Sequence, residues 1–341
     1  MTSGTGRPRN VLGIDIGASS VKAALVAPDS WAITHRLPTA EIHTRTFSEL
    51  RSTVERIARE GIELDPTLAS AGISTTGSAG QDDVVISSGF YSGYQNVNWL
   101  DILRGSTAGR IQVARVLNDG RAAAYGTFLA DSRAKGKDLV HFVVGTGIGG
   151  GMVSQGALFH GSHHFAGAYG HIKVDPTGPA VCVCGGRGCV ELLAAAPAVA
   201  RFAADRGLAT AEAGGRGVRE LGGLARAGSA PARIAFQEAG RWLGIAVACV
   251  ANVCDPAIVT IGGGVIAAAQ DGAGGNWCVE AAASAARGMV IPRIAEHLDV
   301  VEASLLNDAA LIGAAALAAK WQMVNGKWQM RRLTGGRPRQ P

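Results

Sequence analysis

Val11-Leu-Gly-Ile-Asp15-Ile-Gly17-Ala-Ser19-Ser20-Val21-Lys-Ala-Ala-Leu-Val26 sets the terms for the rest of the chain. Two apolar runs rich in Val and Ile flank a short turn of Gly, Ala and Ser, the pattern of a β-hairpin that opens a sheet. A glycine in such a turn leaves backbone N–H groups open to a phosphate with no side chain in the way. An ordinary tight turn has the same composition, so the glycine alone decides nothing. Asp15 and the hydroxyls of Ser19 and Ser20 add chemistry to it: a carboxylate there can hold the water shell of Mg²⁺ while hydroxyls and amides receive phosphate oxygens.

The same motif recurs downstream. The apolar run Leu139 to Val144 ends in Gly145-Thr146-Gly147-Ile148-Gly149-Gly150-Gly151, and Ile258-Val259-Thr260-Ile261 runs into Gly262-Gly263-Gly264. Three strand-to-glycine turns in one chain point to nucleotide more than any one of them does. None has the G-x-G-x-x-G spacing opening a helix with an acid about 20 residues on that marks a dinucleotide fold, and no G-x-x-x-x-G-K-[ST] occurs, which disfavours a P-loop NTPase. Around these turns, residues 46–60 space Phe47, Leu50, Val54, Ile57 and Ala58 as an amphipathic helix, with Ser48 as candidate cap. Ala69 to Ser74 reads as a strand. Helices are expected near 120–131 and in the Ala-rich stretches 190–206, 230–253 and 306–320, and a connection or weak helix over 208–229. No repeat of 20–50 residues is present.

With 341 residues, 47% hydrophobic and 17% charged, the chain can bury a large core, and its length suggests two domains. The net charge of +5 gathers at the ends, in Arg7 and Arg9 and in Lys327, Arg331, Arg332, Arg337 and Arg339. Charges in Gly/Pro-rich tails are not the basic stripe of a nucleic-acid-binding element, so no nucleic-acid partner is expected. No apolar run approaches a membrane span and no signal-like segment opens the chain, so a cytoplasmic protein without a membrane partner is expected. Of the six cysteines, Cys249, Cys254 and Cys278 read as small buried hydrophobes.

Two clusters carry further chemistry. Val116-Leu117-Asn118-Asp119-Gly120 is an apolar strand end followed by an amide and a carboxylate. Asp119 is either the N-cap of the following helix or a general base facing the glycine turns. His171 is followed by Cys182, Cys184 and Cys189, the Cys₃His set that binds zinc in a closed tetrahedron. Four protein ligands leave no open position, so the expected zinc is structural, and Gly185, Gly186 and Gly188 let the chain wrap closely.

Asp15-Ile-Gly17-Ala-Ser19, Asn96 with Trp99, Asn118-Asp119, Gly145 to Gly151, Gly170-His171, Cys-x-Cys-Gly-x-x-Gly-Cys-x-Glu191 and Ile261 to Gly264, in this order, resemble the ROK family of sugar kinases and repressors over about residues 11–320. The resemblance implies an α/β, two-lobed actin-like ATPase (ribonuclease H-like) fold with a structural zinc site, and nucleotide and sugar in the cleft between lobes. The implied boundaries are a tail over 1–10, an N-terminal lobe over 11–119, a C-terminal lobe with the zinc motif over 120–305, a helix over 306–322 returning to the first lobe, and a basic tail over 323–341. It further implies that Asp119 deprotonates a primary hydroxyl that attacks the γ-phosphate of MgATP. Asp15 would organise Mg²⁺. Gly17, Ser19, Ser20, Gly145, Thr146, Gly147, Gly149, Gly262, Gly263 and Gly264 would hold the nucleotide, and Asn96, Asn118, His171 and Glu191 the sugar. A homo-oligomer, dimer or tetramer, would follow.

The chain departs from the family pattern at three places. Ala168 stands where a sugar-gripping Glu is usual, Gly120-Arg121 follow the aspartate in place of small or amide residues, and Ser20 occupies a common Lys position. Loss of the Glu weakens an ordinary hexose, so an amino sugar such as kanosamine or a C7 cyclitol joins glucose as candidate acceptor. Family repressors carry a helix-turn-helix domain ahead of the first turn, and 14 residues before Asp15 are too few for one. The alternatives are a non-catalytic sugar-binding regulator and a polyphosphate-dependent glucokinase.

Overall fold

The computed structural model describes residues 9–210, 214–305, 308–324 and 327–330, the last eight strand residues by backbone alone. The expected N-terminal tail up to residue 8, with Arg7, and the basic residues Arg331, Arg332, Arg337 and Arg339 lie outside the described residues. The chain divides into two compact units, one of Met1–Ala130, His160–Ala166 and Asp308–Pro341, the other of Asp131–Phe159 and Gly167–Asn307.

In the first unit, β1 (Val11–Ile16) and β2 (Ser20–Val26) form the expected hairpin, antiparallel with Val11 opposite Val26. β3 (Ile33–Glu41) extends it, α1 (Phe47–Leu64) follows, and β4 (Ser70–Thr75) returns parallel to β1. The start of α1 differs from expectation. Thr46, extended at φ −102°, is the cap, its Oγ1 accepting the Glu49 N–H at 3.3 Å, while Ser48 lies inside the helix. Glu49 reaches back to the N–H groups of His43 and Thr44 at 2.9 and 2.7 Å, so the side chain three positions after the cap completes a reciprocal arrangement that Ser48 could not enter.

A small sheet of β5 (Ser78–Ala79), β6 (Val84–Ser87) and β7 (Gln95–Asn98) intervenes, unforeseen from the sequence because its strands are short and polar. Asn98 then caps α2 (Trp99–Ser106). β8 (Val113–Asn118) completes a five-stranded sheet in the order β3-β2-β1-β4-β8, and α3 (Asp119–Ala130) leaves its end. α3 belongs to the first unit, so the boundary falls at Ala130 and not at residue 119. The reason is packing. The helix Ala309–Ala319 lies on α3 so tightly that a Cβ on Gly126 would stand 1.9 Å from the Ala309 carbonyl oxygen, and one on Gly313 1.9 Å from that of Ala122.

The second unit repeats the strand order. β9 (Leu139–Val144) and β10 (Ile148–Ser154) form a hairpin across the second glycine turn, extended by β11 (Ala157–Leu158). After α4 (Glu191–Ala194), α5 (Ala196–Ala204), α6 (Gly215–Arg226) and α7 (Ala230–Cys254), β12 (Ile258–Gly262) pairs parallel with β9. α8 (Gly264–Ala268), α9 (Trp277–Arg287) and β13 (Asp299–Glu302) complete a sheet in the order β11-β10-β9-β12-β13. Residues 208–229 are thus partly helical, with 211–213 outside the described residues. α7 has the length and hydropathy of a membrane span, but Phe236, Leu243, Val247 and Ala251 on it are fully buried, as in a core helix. Cys278 is buried as expected, whereas Cys249 is exposed on α7 and Cys254 half-buried at its end.

Candidate active site

In the first unit two carboxylates stand at the same edge of the sheet, at the C-terminal ends of the parallel strands, where open α/β sheets place ligands. Asp15 is opposite Ser74 in the β1–β4 register, and Thr75 is opposite Asn118 in the β4–β8 register. Ser74 Oγ donates to Asp15 Oδ1 at 2.8 Å; burial still raises the Asp15 carboxyl above its ordinary range. The first glycine turn closes beside it, with Gly17 N–H donating to the Ser20 carbonyl at 2.9 Å and the Tyr91 hydroxyl donating to the Gly17 carbonyl. Ser19 is exposed at the turn and Ser20 half-buried at the start of β2.

The cap of α3 is Asn118, whose Oδ1 accepts the N–H groups of Gly120 at 3.1 Å and Arg121 at 3.4 Å. Asp119 is therefore free of the capping role that its position alone allowed. Asn118 Nδ2 donates to Asp119 Oδ1 at 2.8 Å and to the Gly77 carbonyl at 2.9 Å, and Gly120 N–H donates to the same Oδ1 at 2.9 Å. Both bonds to Asp119 end on one oxygen, leaving Oδ2 without a hydrogen bond among the described residues. Burial, and next the Asp15 charge, push the Asp119 carboxyl up to about 6 against the pull of those two donors. Asn96, by contrast, is exposed on β7 in the left-handed region at φ 54°. Trp99 is structural: fully buried, its Nε1 donates to the Tyr94 hydroxyl at 2.8 Å.

The second unit brings the other two glycine turns together. Gly263, at φ 101°, lies so close to the end of β9 that a Cβ would meet the Val144 carbonyl oxygen at 2.5 Å. Gly262 ends β12 and Gly264 begins α8. Across the hairpin, Gly145 N–H donates to the Gly147 carbonyl at 2.9 Å, Thr146 is exposed, and Gly149 lies in β10. Glu191 binds this turn: its Oε2 accepts the Ile148 N–H at 2.8 Å, and a Cβ on Gly147 would meet that oxygen at 2.5 Å. Gly170 backs onto the same carboxylate, which brings Glu191 beside the His171 segment. Ala168 is exposed just ahead of it.

His171, Cys182, Cys184 and Cys189 converge, with all four potential ligand atoms within 4.8 Å of one another. His171 Nδ1 is 3.6 Å from Cys182 Sγ, and the Cys184 and Cys189 sulfurs are 3.5 Å apart. The edges of a zinc tetrahedron with 2.3 Å bonds to sulfur are about 3.8 Å, so the donor set fits a metal ion of that kind. Lys173, unremarked in the sequence, points into the cluster with Nζ 2.7 Å from Cys189 Sγ and 3.7 Å from Cys184 Sγ. Its only signal in the sequence is its place two residues after His171. Arg121 is the other residue whose environment the sequence did not foretell, because a charged side chain at 2% exposure inverts the usual pattern.

Comparison with known proteins matches this geometry to one family. The ROK family model covers residues 11–321. The glucokinase of Streptomyces coelicolor is 30% identical over 337 residues, spanning 90% of this chain and 96% of that protein. The N-acetylmannosamine kinase of Shigella flexneri is 31% identical over 320 residues, spanning 90% and 98%. A ROK family glucokinase from Streptomyces griseus, solved in complex with glucose and AMPPNP, superposes with a TM-score of 0.74 at 26% identity, covering 91% of this chain and 99% of that one. Such neighbours make the repeated sheet an α/β fold of the actin-like ATPase type. Carrying its glycine turns, its Asn118-Asp119 pair and its cysteine cluster in one order through that span, the chain belongs to the ROK family.

Proposed function

We propose that this ATP-dependent sugar kinase transfers the γ-phosphoryl group of MgATP to the primary hydroxyl of a hexose or hexose-like acceptor, with Asp119 as general base. The observation that supports it most is the Asp119 carboxylate itself, locked through Oδ1 by Asn118 and Gly120, open at Oδ2, and pushed up to about 6. A base with that affinity for protons is ionised at neutral pH yet accepts a proton more readily than an ordinary Asp. As the hydroxyl attacks, its proton moves to Oδ2 while Oδ1 stays bonded, so the carboxylate does not rotate away. Phosphoryl transfer requires little covalent chemistry from the protein; positioning and charge neutralisation carry it.

The glycine turns offer backbone N–H groups to phosphates, with the Gly145 to Gly149 and Gly262 to Gly264 turns as neighbours in one unit and the Gly17 to Ser20 turn in the other; the N–H groups of Gly17 and Gly145 themselves are engaged within their turns, on the Ser20 and Gly147 carbonyls. Sugar kinases use ATP with Mg²⁺. A carboxylate such as Asp15, buried beside a second carboxylate, suits a hydrated cation, which would supply charge neutralisation on the phosphates. Asn96, Asn118, His171 and Glu191 are the proposed ligands of acceptor hydroxyls. His171, Cys182, Cys184 and Cys189 would hold a structural zinc through His171 Nδ1, which leaves Nε2 for the acceptor. Three thiolates and a neutral imidazole around Zn²⁺ carry one net negative charge, and the Lys173 ammonium offsets it.

Ala168 supports an acceptor other than plain glucose. The side chain offers no hydrogen-bond acceptor, so an analogue lacking the hydroxyl that a Glu would grip suffers no penalty there. The test is MgATP-dependent ADP release over glucose, mannose, N-acetylmannosamine, an amino-hexose and a C7 cyclitol, with Asp119→Asn as control. Turnover that Asp119→Asn lowers by about 10²–10⁴ is the expected result. Sugar binding with no ADP release from any acceptor would replace the kinase reading with that of a ligand-binding regulator.

A further inference from the structure

The long helix α7 has two apolar faces where a helix at the edge of a core needs one. The first is buried and carries Leu243 and Val247. On the second, Trp242, Ile245, Cys249 and Val253 follow at steps of three, four and four residues and so make one stripe along the helix. Trp242 and Ile245 are half-buried, Cys249 is exposed and Val253 is 84% exposed. No charged residue occurs on α7 between Arg241 and the cap Asp255. Single exposed apolar residues are ordinary, but a continuous stripe of them marks a surface that another molecule covers.

Asn252 widens that surface at the C-terminal end of the stripe. Its Nδ2 donates to the Met289 carbonyl at 3.3 Å and its Oδ1 accepts the Ile291 N–H at 3.1 Å. Two further apolar residues, 53% and 58% exposed, are thereby held beside the helix end. Toward the other end, α7 and α9 enclose a groove of about 380 Å³, lined by Ile234, Gln237 and Arg241 on one side and Trp277, Ala281 and Ser284 on the other. Gly240 and Gly244 seat the two helices at backbone distance: Cβ atoms there would stand 2.3 and 2.5 Å from the carbonyl oxygens of Cys278 and Ala282. The pair is a platform with an apolar knob at one end and a groove at the other.

We infer that two copies of the chain meet on this platform, with their α7 helices antiparallel about a two-fold axis midway along the stripe. Such an axis exchanges the ends and keeps the sides, so Met289 and Ile291 of each copy lie over the groove of the other. The charges that bound the platform fall into opposite pairs. Arg241 comes level with Asp255 of the other copy, and Glu280, on the α9 side of the groove, falls between its Arg287 and Arg293. Arg241 and Arg293 also pair within their own chain, with Glu238 and Glu296, at surface positions where such pairs are worth little. Parallel pairing would set like charges together instead. From Ile234 to Val253 the face runs about 28 Å along α7, and two packed helices are about 20 Å wide. A footprint of about 600 Å² before relief is counted approaches the roughly 800 Å² that each partner gives to a stable interface. The contact does not depend on kinase activity.

Sedimentation velocity of the full chain across a concentration series tests it. The parent should sediment as a dimer, or as an assembly built from dimers, at micromolar concentration. Val253→Arg should raise the dissociation constant of this contact by about tenfold or more, taking a dimer to monomer or a tetramer to dimer. Leu64→Arg, an equally exposed apolar position at the end of α1, should change nothing. A monomeric parent overturns the inference, as does a contact that folded Val253→Arg leaves as tight as before or that Leu64→Arg weakens as much. Melting curves show whether Val253→Arg is folded. If it is not, cross-linking of the parent decides: Cys249 lies within two residues of the axis, so a short bismaleimide should join two chains in a product that Cys249→Ser abolishes. Absence of that product, or its persistence in Cys249→Ser, would then overturn the pairing.

Discussion

At the scale of single residues, the assignment of Asp119 has consequences that activity alone does not exhaust. Its carboxyl moves from an ordinary 3.8 to about 6 on folding, chiefly by burial. The native state thus keeps a proton between about pH 4 and 6 that the unfolded chain has lost, and stability falls as pH rises through that window. Asp119→Asn cannot ionise and keeps the hydrogen-bonding shape. It should melt at a higher temperature than the parent above pH 6, with the difference closing below pH 4. For the parent enzyme, log kcat/KM should climb with unit slope up to about pH 6 and then level, since the base acts only when ionised. A variant no more stable than the parent at pH 7, or a profile flat from pH 5 to 7, would remove Asp119 from this role.

Elements explain which parts of this molecule were legible in advance. The β1–β2 hairpin, α1 and the glycine turns came through because they rest on local patterning: alternating or three-and-four spaced apolar residues, and glycines at turns. The cap of α1 did not, because Ser48 and Thr46 have the same chemistry and only the reach of Glu49 back to His43 and Thr44 selects between them. Nor did β5 to β7, whose strands are too short and polar to show an alternating apolar pattern, or the environment of Arg121, which neighbours distant in sequence create. The site residues Asn118 and Asp119 were legible as a pair, but their division of labour, one capping and one open, needed the geometry of α3.

The place of α3 in the first unit depends on contacts between two small-residue surfaces, a feature that sequence spacing leaves ambiguous. Gly126 and Gly313 admit the helix Ala309–Ala319 at backbone distance. Gly126→Ala adds intrinsic helix propensity of up to about 1 kcal/mol, yet its Cβ would need to sit 1.9 Å from the Ala309 oxygen. Overpacking of that kind costs about 1–3 kcal/mol, and the steric term should win. A melting temperature lower by several degrees is expected by scanning calorimetry; an unchanged or raised value would mean that the helix can withdraw without loss.

For the whole molecule, the same strand order occurs twice, but the two units are built on separate apolar cores and only one of them carries the cysteine cluster. Loss of the proposed zinc should therefore act unevenly. The cysteine segment is tied to its own sheet through Gly170 and Gly167, which rest on the backbone of Ile148 and Gly150, and through Glu191, which accepts from Ile148. Chelation should raise amide exchange over residues 171–190, then in β10 and α4, while β1, β4 and β8 keep their protection. Lys173→Met removes the ammonium 2.7 Å from Cys189 Sγ without shortening the chain much. Outer-shell partners of metal ligands are commonly worth 10–100-fold in affinity, so zinc release to a chromogenic chelator should quicken by roughly tenfold. Parental release rates in Lys173→Met would show that the thiolates need no cation. Unchanged exchange in verified metal-free protein would show that the cluster holds the fold without metal, and equal loss of protection in β1 would show that the two cores do not respond separately.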